Sequence, residues 1–259
     1  MKVLFVGDIV GQAGRKVLKE HLARLKEEHR IEFTIANAEN AAGGFGLTPS
    51  IGEEILACGV DVMTSGNHIW DKKEVFDYID REPRLLRPGN YPPGTPGNFQ
   101  CVAAAAGGHP VGVMNFQGRV FMPQIDCPFR RALHEAEKLA GQTRVIIIDF
   151  HAEATSEKVA FAWHMNGKVS AVLGTHTHIP TADERVLSEG TAYISDVGMT
   201  GSYESVIGMK VEASVARFLT GRPARFETAG ESPRLSGVVL EIDESTGSAI
   251  SIQRVWTPA

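Results

Sequence analysis

Five short apolar runs in this chain each lead into residues that can bind a metal, and this pattern constrains the fold more than any other feature. Val3–Val6 runs into Gly7-Asp8, and Phe33–Ala36 leads to Glu39-Asn40. Val60–Thr64 leads to Asn67-His68, Val145–Phe150 to His151, and Val169–Leu173 to His176 and His178. Runs of this length bounded by small residues read as buried strands. In open α/β sheets, ligands bind just beyond the carboxyl ends of the strands. One polar strand end carries little weight, but five of them predict that carboxylates, amides and imidazoles meet along one rim.

The segments between these runs are helical in pattern. Arg15–His29 places Val17, Leu18, Leu22 and Leu25 on one face. Thr48-Pro49 reads as an N-cap and first helical residue, with a stop at Gly59. Asp71-Lys72-Lys73-Glu74 has the form of a capping box before Val75, Phe76 and Ile79. The resulting β-α-β-α-β-α order predicts a parallel sheet flanked by helices. After a Pro- and Gly-rich loop, Arg87–Asn98, the order changes. Phe99–Ala103 and Val111–Phe116 are strands around Gly107-Gly108, Leu133–Leu139 is a helix and Tyr193–Ser195 a strand. Residues 236–256 form a hairpin about Asp243–Ser248. The strand-rich second half predicts a second sheet packed on the first. A single α/β domain over residues 1–259 is expected, with 199–222 read equally well as a cap insertion or as a surface connection.

Composition limits the partners. With 43% hydrophobic residues the chain can bury a sizeable core. A net charge of −5 lacks the basic footprint of a duplex nucleic-acid binder. It leaves room for a small nucleotide, because bound metal ions supply positive charge locally. Cys58, Cys101 and Cys127 are odd in number and irregular in spacing, which argues against a disulfide framework and for a reducing cytoplasm. The apolar start is too short for a signal peptide, and Val145–Ile148 is far too short to span a bilayer.

On an extended segment His176 and His178 would point to the same face, with Thr175 and Thr177 on the other. The bland alternative is an exposed polar strand end. Small neighbours around Glu39-Asn40 would let the backbone approach an ion, whereas Gly66-Asn67 could be no more than a turn ahead of His68. All the donors are nitrogen or oxygen. This argues against a structural zinc site and against iron–sulfur clusters, and it suits Fe, Mn, Zn or Co. Two carboxylates against two divalent ions leave a net positive site, for which phosphate is the natural anion. His21, His29, His109, His134 and His164 lack partners in the pattern. Arg119 could reach a phosphate but fits a surface salt bridge better. Gly7, Gly11 and Gly14 lack the residue-9 glycine of a dinucleotide-binding turn.

In chain order, Gly7-Asp8, Glu39-Asn40, Gly66-Asn67-His68, His151 and Gly174-Thr175-His176-Thr177-His178 resemble the motifs of the calcineurin-like metallophosphoesterases. Two positions depart from the common pattern: Val10 stands where a His is usual, and Glu39 where an Asp is usual. Both departures are similar to the YmdB-like branch of phosphodiesterases, as are the phrases Gly66–Lys73, Asp149–Lys158 and Ile194–Gly201. The resemblance covers nearly the full length. It implies a four-layer α/β/β/α sandwich of two mixed sheets and 2′,3′-cyclic-nucleotide 2′-phosphodiesterase activity. It also implies two iron ions, with Mn, Zn or Co as alternatives. One metal would take Asp8, Glu39, Asn40 and His178, and the other Glu39, Asn67, His151 and His176. Glu39 would bridge them with a hydroxide that attacks phosphorus, and His68 would protonate the leaving oxygen as general acid. Asn40, in the place of the missing histidine, rests on this branch alone. The competing readings are a metal-holding regulatory protein with weak turnover and a phosphomonoesterase. A homo-oligomer is compatible with the sequence.

Overall fold

The computed structural model describes residues 1–257. The elements run β1 (Lys2–Val6), β2 (Asp8–Ile9), α1 (Gly11–His29), β3 (Phe33–Asn37), α2 (Pro49–Ala57), β4 (Val62–Thr64) and α3 (Val75–Ile79). There follow β5 (Gln100–Ala104), β6 (Pro110–Gln117), α4 (Pro128–Leu139), β7 (Val145–His151), α5 (Thr155–Met165) and β8 (Ala171–Thr175). The last third holds β9 (Arg185–Val186), β10 (Ala192–Ile194), β11 (Met199–Ser202), α6 (Val211–Thr220), β12 (Pro233–Arg234), β13 (Ser236–Ile242) and β14 (Ala249–Trp256).

Two mixed sheets form, as expected. A five-stranded sheet has the order β14-β13-β1-β3-β4, and a six-stranded sheet the order β5-β6-β7-β8-β10-β9. β1, β3 and β4 are mutually parallel, as are β6, β7, β8 and β10, while β13, β14, β5 and β9 join antiparallel. Alternate residues divide each strand between two faces. Val3, Phe5, Phe33 and Ile35 of the first sheet meet Val113, Ile147, Leu173 and Ile194 of the second in the central core. Leu4 and Val6 face Val17, Leu18 and Leu22 of α1 on one outer side. Ile146, Ile148 and Phe150 face Ala132 of α4 and Phe161 of α5 on the other. These three cores define helix, sheet, sheet and helix layers. Each fully buried aliphatic or aromatic side chain contributes about 1.5–3 kcal/mol.

Several details differ from expectation. Asp71 does not cap α3, whose N-cap is Glu74 with no side-chain hydrogen bond; the Asp71 carboxylate is taken by His68 instead. α5 was not expected, because its apolar residues form no clear stripe and Trp163 is left exposed. Met199–Ser202, the start of the cap candidate, is the buried strand β11, paired with β2 and β12. Only α6 stands away from the core; Ser214 is its buried residue. No helix among the described residues is long and apolar enough to cross a membrane.

Candidate metal centre

The carboxyl ends of β1, β3 and β4 lie side by side, and those of β7 and β8 lie side by side in the facing sheet. This brings Asp8, Glu39 and Asn67 from one sheet toward His151, His176 and His178 from the other. Gly66 makes the approach feasible: a Cβ at that position would run into the His151 ring. Val10, where the wider pattern carries a histidine, is buried and packs against Gly201 and Gly208 instead.

His151 Nε2 is the focus. Glu39 Oε1 lies 2.9 Å from it, His176 Nδ1 3.0 Å and Asn67 Oδ1 3.1 Å. One ring nitrogen cannot satisfy three such neighbours. Its tautomer sharpens the conflict. Thr175 Oγ1 donates to Asp149 Oδ1 at 2.6 Å, so it can only accept from His151 Nδ1–H, 2.9 Å away. That leaves Nε2 with a bare lone pair in the neutral ring, facing an oxygen of Glu39, an oxygen of Asn67 and a nitrogen of His176. Among the described residues, Asp8 Oδ1, Glu39 Oε1 and Asn40 Oδ1 are also buried without a hydrogen-bond partner. Orphaned buried acceptors are costly, and the ligand atoms of Glu39, His151 and His176, which all lie within 4.8 Å of one another, fit a cation.

The remaining expected ligands border the same space. The His176 backbone N–H donates to Asp8 Oδ2 at 3.3 Å, and His151 Nδ1 lies 3.9 Å from Asp8 Oδ1. His178 donates from Nδ1 to Ile207 O at 2.9 Å, which leaves its Nε2 with a free lone pair in the neutral ring. The Asn40 amide donates to Gly44 O at 2.9 Å, leaving its oxygen free. Asn40 and His178 line one cavity of about 470 Å³ with Glu39, His68 and His176.

Titration follows this crowding. Burial pushes Glu39 up, but the His151 imidazole and the His68 backbone N–H bring it down to about 2. Burial works against charge on His151, yet Glu39, Asp8 and Asp149 raise it to about 9. Burial and then the His151 charge lower His176 to about 3. Burial raises Asp8 against the pull of His178 and His151. The carboxylates around His151 thus favour positive charge at its Nε2, the place a metal ion would take against the neutral ring.

The histidine pair is not presented as expected. The strand ends at Thr175, and His176 and His178 take φ of 97° and 68°, so they do not sit at alternate positions of an extended chain. Such conformations cost roughly 1–3 kcal/mol each in a non-glycine residue. A clamp holds them in place. Asp196 Oδ2 accepts from Thr177 N at 3.0 Å and Thr177 Oγ1 at 2.8 Å, and Asp196 Oδ1 accepts from Gly198 N at 2.8 Å. Lys158 Nζ donates to Asp196 Oδ2 and to Thr175 O, each at 2.8 Å.

Sequence reasoning passed over several participants. Asp149 is buried between the sheets and accepts from Thr64, Thr175 and Asn37, with burial pushing its carboxyl up to about 7. An acid inside the apolar run Val145–Phe150, two residues before His151 on the same strand face, was the available signal. Glu153 Oε2 lies 3.1 Å from His176 Nε2. Asp71 Oδ2 lies 2.7 Å from His68 Nδ1, while the His68 backbone N–H donates to Glu39 Oε2 at 3.0 Å. Arg119 forms no salt bridge among the described residues; its guanidinium meets Cys127 Sγ at 3.6 Å. His109 pairs with Glu244 at 3.5 Å, and His164 with Phe129 O at 3.2 Å, neither of them lining this cavity.

A family model described as "YmdB-like protein" matches residues 4–255. A Bacillus subtilis (strain 168) protein named 2′,3′-cyclic-nucleotide 2′-phosphodiesterase is 50% identical over 255 residues, 98% of this chain and 96% of that protein. The crystal structure of a hypothetical protein from Thermus thermophilus superposes with a TM-score of 0.94 at 41% identity, over 100% of this chain and 99% of the other. A crystal structure described as a novel phosphatase, from Mycoplasma pneumoniae, gives 0.91 at 34% identity, over 100% and 93%.

Proposed function

Since the chain belongs to the YmdB-like protein family, we propose that it is a metal-dependent phosphodiesterase of small nucleotides, with 2′,3′-cyclic nucleotides as the substrate class. The name of the half-identical Bacillus relative supports the phosphodiesterase reading. The observation that carries it in this molecule is the set of three polar atoms within 3.1 Å of His151 Nε2. Beside them stand the unpartnered oxygens of Asp8 and Asn40.

Asp8, Glu39, Asn40 and His178 would hold one ion, and Glu39, Asn67, His151 and His176 the other, with Glu39 shared. Two transition-metal ions, iron first, would supply the Lewis acidity that polarises a phosphoryl oxygen and the positive charge that draws an anionic ester. The protein's own part is positional and protic. Thr175 fixes the His151 tautomer, and Ile207 O fixes that of His178. Asp71 accepts from His68 Nδ1–H, so His68 Nε2 is the atom that holds the proton taken by the leaving ribose oxygen. Asp71 also holds the ring in one orientation for that transfer. The whole chain would act as one metallophosphoesterase domain, with α6 as its cap. Three free cysteines agree with a reducing cytoplasm as its location.

The test is hydrolysis of 2′,3′-cyclic AMP, bis(p-nitrophenyl) phosphate and p-nitrophenyl phosphate, alongside metal analysis of protein purified without chelator. About two equivalents of transition metal and faster diester than monoester cleavage are expected. Faster monoester cleavage would replace the reading by a phosphomonoesterase. Metal retained with no turnover of any ester would favour a regulatory protein.

A further inference from the structure

The cavity above the metal-ligating cluster has two characters. Its floor carries Glu39, Asn40, His176 and His178. Its far wall is apolar and aromatic, built by α6 and the segment after it, and includes Arg217, Phe218 and Phe226. Folding does not explain this wall. α6 buries Ser214 and leaves Phe218 85% exposed. A large ring left this open while lining a cavity marks a binding surface rather than a core. Arg217 is the one Lys or Arg among the lining residues. It stands 5.2 Å from the Phe226 ring centre and has no carboxylate partner among the described residues, whereas the nearby Lys210 is paired with Glu227 at 2.7 Å. Phe45, edge-on to His68 at 5.0 Å, adds a ring close to the proton donor.

We infer that Arg217, Phe218 and Phe226 form a subsite for the heteroaromatic base of a nucleotide whose phosphate lies on the metal-ligating floor. The inference rests on the phosphodiesterase reading above and adds what it leaves open, the group beyond the ester. A cavity of about 470 Å³ exceeds what an inorganic phosphate fills and falls in the range of sites for whole small molecules. Aromatic faces with a guanidinium among them suit a flat π-system, which they can stack on both by ring contact and by cation–π attraction. The recognition is sequence-tolerant, because every base offers such a face. α6 is therefore a specificity element, and its apolar exposure is the cost of keeping the wall open to a substrate.

The experiment compares two esters with the same reacting group: 2′,3′-cyclic AMP, and ribose 2,3-cyclic phosphate, which lacks the base. In the metal-loaded wild-type enzyme kcat/KM should favour the nucleotide. In Arg217→Ala, Phe218→Ala and Phe226→Leu that ratio should fall by roughly fivefold or more, carried mainly by KM. Calorimetric binding of adenosine 3′-monophosphate against ribose 3-phosphate gives the same comparison without turnover. If wild-type protein cleaves neither ester, the phosphodiesterase reading fails and the calorimetry still decides the subsite. Equal efficiency and equal affinity for the base-bearing and base-free ligands, or variants that lower both alike, would overturn it. Phe218→Ala lies on an exposed side chain, so it keeps the test valid if Phe226→Leu folds poorly.

Discussion

The Lys158 ammonium and the Asp196 carboxylate face each other at 2.8 Å inside the protein, with side chains 2% and 1% exposed, directly behind the loop that presents His176 and His178. Breaking a buried pair from one side leaves an uncompensated charge and costs about 3–5 kcal/mol, whereas removing both charges can be nearly neutral. Lys158→Met should therefore lower the melting temperature more than Lys158→Met combined with Asp196→Asn. Both variants should bind metal more weakly: the single one loses the bond to Thr175 O and leaves Asp196 without its counter-charge, and the double one also weakens the hold of residue 196 on Thr177. Thermal denaturation with and without added metal reads the two effects separately.

Gly66 and the His151 ring are in contact, and a methyl group at position 66 would displace the imidazole. Gly66→Ala should lose most of the metal bound through His151 and reduce diesterase activity by at least about tenfold. Gly230, around which space is open, provides the control. If Gly66→Ala holds as much metal as Gly230→Ala by elemental analysis, the contact has no functional weight.

Thr175 accepts from His151 and donates to Asp149 through a single hydroxyl. Thr175→Val keeps the shape and removes both bonds. Metal affinity should drop by about 10–100-fold, the usual effect of losing a partner behind a ligating histidine. Thr175→Ser should restore it. A titration with a competing chelator measures the difference, and equal affinities in Val and Ser variants would refute the role.

His68 and Asp71 should separate proton transfer from metal binding. His68→Ala should lower kcat by about 10²–10⁴-fold while keeping the metal content, as expected for loss of a general acid. The deficit should shrink on substrates with good leaving groups, such as bis(p-nitrophenyl) phosphate, because their departure needs no proton. Asp71→Asn should show a smaller loss of the same kind. A constant deficit across leaving groups would assign His68 to substrate positioning instead.

Much of this site was legible in one dimension because strand ends are local features. An apolar run that stops at Asp8 or His151 announces both the strand and what lies at its tip. The helical face of Val17, Leu18 and Leu22 was equally readable, since its period is set by backbone geometry. Reading failed where a residue's partner lay far along the chain. Asp71 looked like a helix cap because its neighbours fit one, yet the His68 ring offered the better hydrogen bond. The His176–His178 spacing looked extended because nothing local reveals positive φ; the buried Asp196, from a later segment, imposes the turn.

The sequence by itself determined most of the strand-and-helix order, α5 and β11 excepted, together with the two-sheet expectation and the inventory of nitrogen and oxygen donors. These depend on residue type, period and spacing, all of which are local. Only the tertiary structure decided that Glu39, Asn67 and His176 converge on His151 Nε2, and which hydroxyl sets the tautomer of that ring. It also decided that an otherwise unremarkable helix, α6, lends its exposed rings to the cavity. The physical reason is that lone-pair convergence and cavity walls are properties of distance in space. They arise between segments up to 168 residues apart, as in the bond from His176 to Asp8, and no local pattern carries that information.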